Sequence, residues 1–89
     1  MPTPDTSLLE FPCDFPLKVM GLATDDFDLL VVELVLKHVD ELREGAVQRR
    51  DSKQGKYTSV TVTIEATSQE QLDAVYRELS SHARVLMVL

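Results

Sequence analysis

The chain has 89 residues, 44% hydrophobic and 27% charged, which is the composition of one ordinary globular domain and not of a disordered or fibrous chain. Its net charge of −6 speaks against general nucleic-acid binding and against docking on anionic membranes, because both draw much of their affinity from a basic surface. Cys13 is the only cysteine, so no internal disulfide can form, and the N-terminal residues lack the basic and apolar regions of a signal peptide; the expected location is the cytoplasm.

Residues Met1 to Ser7 hold two prolines among Thr, Asp and Ser and read as a flexible leader; Leu8 to Leu89 reads as one domain. Phe15 to Leu22 alternates, with Phe15, Leu17 and Val19 on one side and Lys18 and Met20 on the other. This predicts a first strand, ending near Gly21. Thr24 and Asp25 offer an N-cap, and a helix is expected from there to about Leu42, where Gly45 follows. Its inward stripe is Phe27, Leu30, Val31, Leu34, Val35 and His38, and Leu29, Val32, Leu36 and Val39 form a second apolar ridge. The apolar stretch from Phe27 to Leu36 is broken by Asp28 and Glu33 and cannot span a bilayer.

Ala46 to Lys53 predicts a polar edge strand, and Lys53-Gln54-Gly55-Lys56 a turn. Tyr57 to Ala66 alternates strictly, with Val60, Val62 and Ile64 inward and Ser59, Thr61, Thr63 and Glu65 outward, and its β-branched content fits a strand. Ser68-Gln69-Glu70-Gln71 is a capping-box pattern that opens a second helix with the core stripe Leu72, Val75, Tyr76 and Leu79. Val85 to Leu89 closes the chain as a strand without a Lys, Pro or bulge signal after Arg84. The order β-α-β-β-α-β predicts an α+β, ferredoxin-like sandwich: a four-stranded antiparallel sheet in the order 4-1-3-2, with both helices on one face and the other face open.

Three blocks carry a family resemblance: LLEFPxxFxxKVMG from Leu8 to Gly21, GKYTSVTVTIEATSQEQLDAVYREL from Gly55 to Leu79, and the terminal VLMVL. In order and spacing they resemble the YbeD-like family of small bacterial proteins. The resemblance implies a ferredoxin-like fold akin to the ACT domains that regulate metabolic enzymes, and by genomic association a link to lipoate metabolism. The stretch from Val39 to Gln54 departs from the family pattern, so no function is carried over there. The Pro-Gly step that many ACT domains place before the first helix is also missing.

The residues themselves argue against most chemistry. RNA-binding versions of this scaffold stack bases on aromatic residues of the central strands, and here only Tyr57 stands at the start of one. Cys13, His38 and His82 are isolated in sequence, without the spacing of a metal site, and His38 falls on a core stripe. Acyl-phosphate hydrolysis would need an arginine in the loop Leu22-Ala23-Thr24, and a phosphate-binding glycine loop is absent. Neither a catalytic residue, a metal nor a cofactor is therefore expected.

Three binding surfaces remain as candidates. On the open face, Lys18, Met20, Tyr57, Ser59, Thr61 and Thr63 form a ligand-binding set in which a lysine amid hydroxyls can receive the carboxylate of a small metabolite. The plainer reading is a solvated face with Lys18 paired to Glu65. The second surface is for a protein partner. Five of the nine basic residues fall between Arg43 and Lys56, so Arg49, Arg50, Lys53 and Lys56 are candidates to meet an acidic surface, or simply to protect an edge strand. Leu29, Val32 and Leu36 on the helix ridge are candidates for contact with a second copy, giving a homodimer. The function expected is a non-enzymatic, ACT-like regulatory or adaptor role; the alternative is a small enzyme or carrier using Cys13.

Overall fold

The computed structural model describes residues 10–89. The expected leader, residues 1–7, and the apolar pair Leu8 and Leu9 lie outside the described residues.

The strictly alternating segment Tyr57–Ala66 forms strand β3 and is the spine of the sheet. It pairs antiparallel with β1 (Cys13–Leu22) along its whole length, from Cys13 opposite Ala66 to Leu22 opposite Tyr57. Strand β2 (Val47–Asp51) flanks β3, and β4 (Val85–Val88) flanks β1, which gives the order β2-β3-β1-β4. This is the expected 4-1-3-2 order read from the other edge. Helices α1 (Phe27–Val35) and α2 (Gln69–Ser80) cover one face, completing a ferredoxin-like α+β sandwich.

The core lies between the two layers. Leu17, Val19, Val60, Val62 and Ile64 of the central strands meet Phe27, Val31 and Val35 of α1 and Leu72, Val75 and Leu79 of α2, all buried. At roughly 1.5–3 kcal/mol for each fully buried large apolar side chain, this layer is the main source of stability.

The structure corrects five local expectations. β1 begins at Cys13, two residues before Phe15. Helix α1 stops at Val35 and not near Leu42. After Val35 the chain tightens, with Lys37 N–H bonding to Leu34 O at 3.3 Å and His38 N–H to Val35 O at 2.9 Å. Val39 is drawn into the core, 7% exposed, and so is not part of the outer ridge. The N-cap of α1 is Asp26 in place of Thr24 or Asp25, and it makes no side-chain cap bond. The plain edge expected of β4 is in fact bulged. Met87 faces Met20 but Val85 faces Gly21, so Leu86 is an extra residue that bends the strand.

Helix α2 opens as expected, with Ser68 Oγ accepting from Gln71 N–H at 3.1 Å. The Gln71 side chain does not complete the capping box. Its Oε1 accepts from Thr67 N–H at 2.7 Å and its Nε2 donates to His38 O at 3.0 Å, which ties the turn after α1 to the start of α2.

Candidate functional site

Strand parity fixes what faces away from the helices. With Leu17 and Val19 buried, Pro16, Lys18, Met20 and Leu22 of β1 point to the open side, and Thr63, Thr61, Ser59 and Tyr57 of β3 stand directly opposite them in that order. The six residues of the expected ligand set, Lys18, Met20, Tyr57, Ser59, Thr61 and Thr63, therefore share one face. Register adds others. On β2, Gln48 faces Thr61 and Arg50 faces Ser59. Past β1, Met87 faces Met20, and Leu89 exchanges both backbone hydrogen bonds with Lys18, at 2.8 and 3.2 Å, so its side chain lies beside that lysine on the same face.

The face has three zones along the β1–β3 ladder. Its polar centre is a shallow depression of about 340 Å³ lined by Lys18, Gln48, Arg49, Arg50, Ser59 and Thr61, with no acidic residue in the lining. Towards Leu22 it turns apolar, with Leu22, Tyr57 and Met87 exposed and the exposed Leu89 flanking Lys18 on the β4 side, and Lys56 Nζ stands 5.5 Å from the centre of the Tyr57 ring. A smaller hollow of about 160 Å³ between Met20, Arg50 and Tyr57 joins these two zones. At the far end Asp14 faces Glu65, and Arg43 bridges them at 3.1 and 3.8 Å. The expected pairing of Lys18 with Glu65 is thus replaced: Thr61 is opposite Lys18, and Glu65 is held by Arg43. Among the described residues Lys18 and Arg50 have no ion-pair partner.

The basic region does not act as one surface. Arg49 lies opposite Val60 and shares its helix-side parity, so it leans under α1 instead of facing a partner. It donates to the carbonyls of Thr24 at 2.7 Å and Asp25 at 3.3 Å and to the carboxylates of Asp28 and Asp51, each at 3.1 Å. A hydrogen bond from Thr58 first, then that of the Arg49 guanidinium, lowers the Asp51 pKa. Arg49 is thereby a clamp that holds the loop before α1. Arg50 belongs to the open face, while Lys53 and Lys56 are exposed in the turn between β2 and β3. Leu29 and Leu36, 67% and 43% exposed, and the half-buried Val32 lie on the helix layer, across the sheet from Lys18.

Cys13 is half-buried and packs against the core at the start of β1, opposite Ala66. His38 is half-buried with Nε2 3.0 Å from Glu78 Oε1, a contact between the turn after α1 and α2 that lowers the Glu78 pKa. Among the described residues no cluster of three or more His, Cys, Asp or Glu side chains is placed to hold a metal ion, and no helix is long and apolar enough to cross a membrane. Sequence reasoning missed Arg50 as a member of the open face, and Gln48, Leu22, Met87 and Leu89 altogether. Leu22 could have been found from the parity of β1. The others needed the registers of β2 and β4, which their short, weakly alternating sequences do not specify.

Comparison with known proteins agrees with this architecture. The solution structure of protein HP0495 from H. pylori superposes with a TM-score of 0.70, covering 100% of this chain and 94% of that one at 20% identity, a likeness of fold. A UPF0250 protein of Janthinobacterium sp. (strain Marseille) is 52% identical over 86 residues, which is 97% of this chain and 94% of the relative. A UPF0250 protein of Paraburkholderia phytofirmans is 45% identical over the full length of both chains, and one of Neisseria gonorrhoeae is 46% identical over 94% of this chain and 92% of the relative. The family model described as "Protein of unknown function (DUF493)" matches residues 6–89. These matches bear out the resemblance carried by the three sequence blocks, and the chain belongs to this DUF493 family of small bacterial proteins.

Proposed function

We propose that this protein is a non-enzymatic regulatory or adaptor module, acting in the manner of an ACT domain, that recognises a carboxylate on the polar centre of its open sheet face. One observation carries the reading. Lys18 and Arg50 flank the hydroxyls of Ser59 and Thr61 around a depression whose lining contains no acidic side chain. In a chain of net charge −6, that is a local reversal of sign. Arginine offers a planar two-pronged donor matched to a carboxylate, lysine a mobile point charge, and the Thr61 hydroxyl and the Gln48 amide can satisfy remaining lone pairs.

A panel of carboxylated metabolites tested by thermal denaturation checks the proposal. A ligand present at about 100 times its Kd adds roughly 2.7 kcal/mol and is readily seen. The stabilisation should vanish in Lys18→Ala and weaken in Arg50→Ala. If the effect survives both substitutions, the site is elsewhere and the reading fails.

A second copy of the chain is a further partner that the exposed Leu29 and Leu36 favour. Sedimentation at micromolar concentration tests it with Leu36→Lys. A monomer indifferent to that substitution removes the homodimer.

A further inference from the structure

The apolar end of the open face has no part in holding a small carboxylate. Of the seven large hydrophobic side chains that stand exposed among the described residues, four are here: Leu22 at 52%, Tyr57 at 41%, Met87 at 51% and Leu89 at 58%. They surround the half-buried Met20 and run without a break into the depression beside Lys18 and Arg50. A metabolite filling that depression would leave these hydrophobics in water. Something with its own apolar stripe is needed to cover them.

We infer that the open sheet face docks an acidic amphipathic helix of a partner protein, its apolar stripe on Met20, Leu22, Tyr57, Met87 and Leu89 and its flanking carboxylates on Lys18 and Arg50. The inference rests on the carboxylate reading of the polar centre and names the source of the carboxylate. Charge complementarity selects the partner. Lys18, Arg50 and Lys56 border the apolar zone; of the nearby acidic residues, Asp14 and Glu65 are at the far end, bridged by Arg43, and Asp51, which lines the hollow beside Tyr57, is held by Arg49. A second copy presenting the same face would set like cations against like cations at the rim, so it is the poorer occupant.

Geometry selects a helix. The two central strands are hydrogen-bonded on both sides, so a chain lying over them has side chains, and no free backbone edge, to meet. From Lys18 to Leu22 the zone runs about 13 Å, and across four strands about 14 Å. That accommodates two to three turns of a helix about 10–12 Å in diameter. Acidic residues one turn apart on such a helix reach both cations while its Leu stripe stays on the sheet. Two methionines in the zone, Met20 and Met87, suit it to stripes of differing shape.

The probe is a fluorescein-labelled 15-residue helical peptide with a leucine stripe flanked by glutamates, titrated with the full chain and read by anisotropy. It is expected to saturate at micromolar protein and to bind more weakly as salt is raised. A matched peptide with every Glu changed to Lys should bind at least tenfold more weakly. Met87→Lys and Lys18→Glu should each cost at least tenfold, with circular dichroism confirming that both variants remain folded. Equal binding of the lysine peptide, or indifference to Met87→Lys, overturns the inference. A metabolite effect that depends on Lys18 while the peptide fails to bind leaves carboxylate recognition standing and helix docking refuted. Loss of both with no dependence on Lys18 refutes the two together. Sedimentation as a dimer that Met87→Lys dissociates would give the surface to a second copy and also overturn the inference.

Discussion

Gly21 is the residue at which β1 passes beneath the first turn of α1. A Cβ there would stand 2.4 Å from Phe27 Cε1 and 2.7 Å from the carbonyl oxygen of Arg84. Phe27 is fully buried and the other obstacle is backbone, so neither can swing aside. Gly21→Ala is therefore expected to destabilise the fold by about 1–3 kcal/mol or more through overpacking, seen as a lower urea midpoint. A second residue-scale device closes the same corner. Arg84 donates to both carboxylate oxygens of Asp26, at 2.7 and 3.4 Å, and the Thr24 hydroxyl adds a bond at 3.1 Å. The Arg84 hydrogen bond foremost, then that of Thr24, hold the Asp26 carboxyl down at about 2, against the usual 3.8. Because the folded value lies below the ordinary one, the ionised carboxylate stabilises the fold above about pH 4. That contribution fades as pH falls towards 2. Asp26→Asn should accordingly flatten the loss of stability between pH 4 and 2, measured by denaturant midpoints. Since the pair is at the surface, raised salt should shrink the difference. An unchanged acid limb would show that the clamp adds nothing to stability.

At the scale of elements, β3 states its own orientation and α1 does not state its own end. Val60, Val62 and Ile64 alternate with Thr61 and Thr63 over a long, β-branched run, and a slip by one residue would expose every one of these core side chains. Val62→Asp is expected to unfold the domain, at a cost of about 3 kcal/mol or more for an unpaired buried charge. Thr61→Asp should stay within about 1 kcal/mol, since it faces Lys18 across the β1–β3 ladder and opposite charges there attract. Equal damage in a chemical-denaturation experiment would sink the assignment of inside and outside on β3. The same regularity made the fold and the six-residue face of Lys18, Met20, Tyr57, Ser59, Thr61 and Thr63 legible in the sequence. The end of α1 was not legible, because no glycine marks it: the chain tightens so that the Leu34 and Val35 carbonyls accept from Lys37 and His38 N–H, and Gln71, from elsewhere in the chain, holds the His38 carbonyl just beyond. Arg49 was misread for a similar reason. A polar strand gives no parity of its own, and only pairing with Val60 shows that this arginine turns inward to Asp28 and Asp51. Met87 and Leu89 escaped because the bulge at Leu86 resets which residues of β4 face outward.

Across the whole molecule, the sheet is unevenly secured. β1 and β3 are joined along their whole length and bury the largest share of the core between the helices, whereas β4 holds β1 through a short, bulged ladder and places only Val85 and Val88 against the core. Closing that ladder also joins opposite ends of the domain, so it carries a large loop entropy for little buried surface. Local opening should therefore begin at β4 while the β1–β3 pair stays closed. Native-state hydrogen exchange can read this within a single strand. The Lys18 amide bonds to Leu89 O, while the amides of its neighbours Leu17 and Val19 turn towards β3. The Lys18 amide and those of β4 should exchange at least tenfold faster than those of Leu17, Val19, Val60 and Val62. The consequence reaches the candidate site, since Lys18, Met87 and Leu89 lie across the weak ladder: an occupant that bridges β1 and β4 should slow the Lys18 amide selectively. Uniform protection across β1, with β4 as slow as β3, would show that the sheet opens only as a unit.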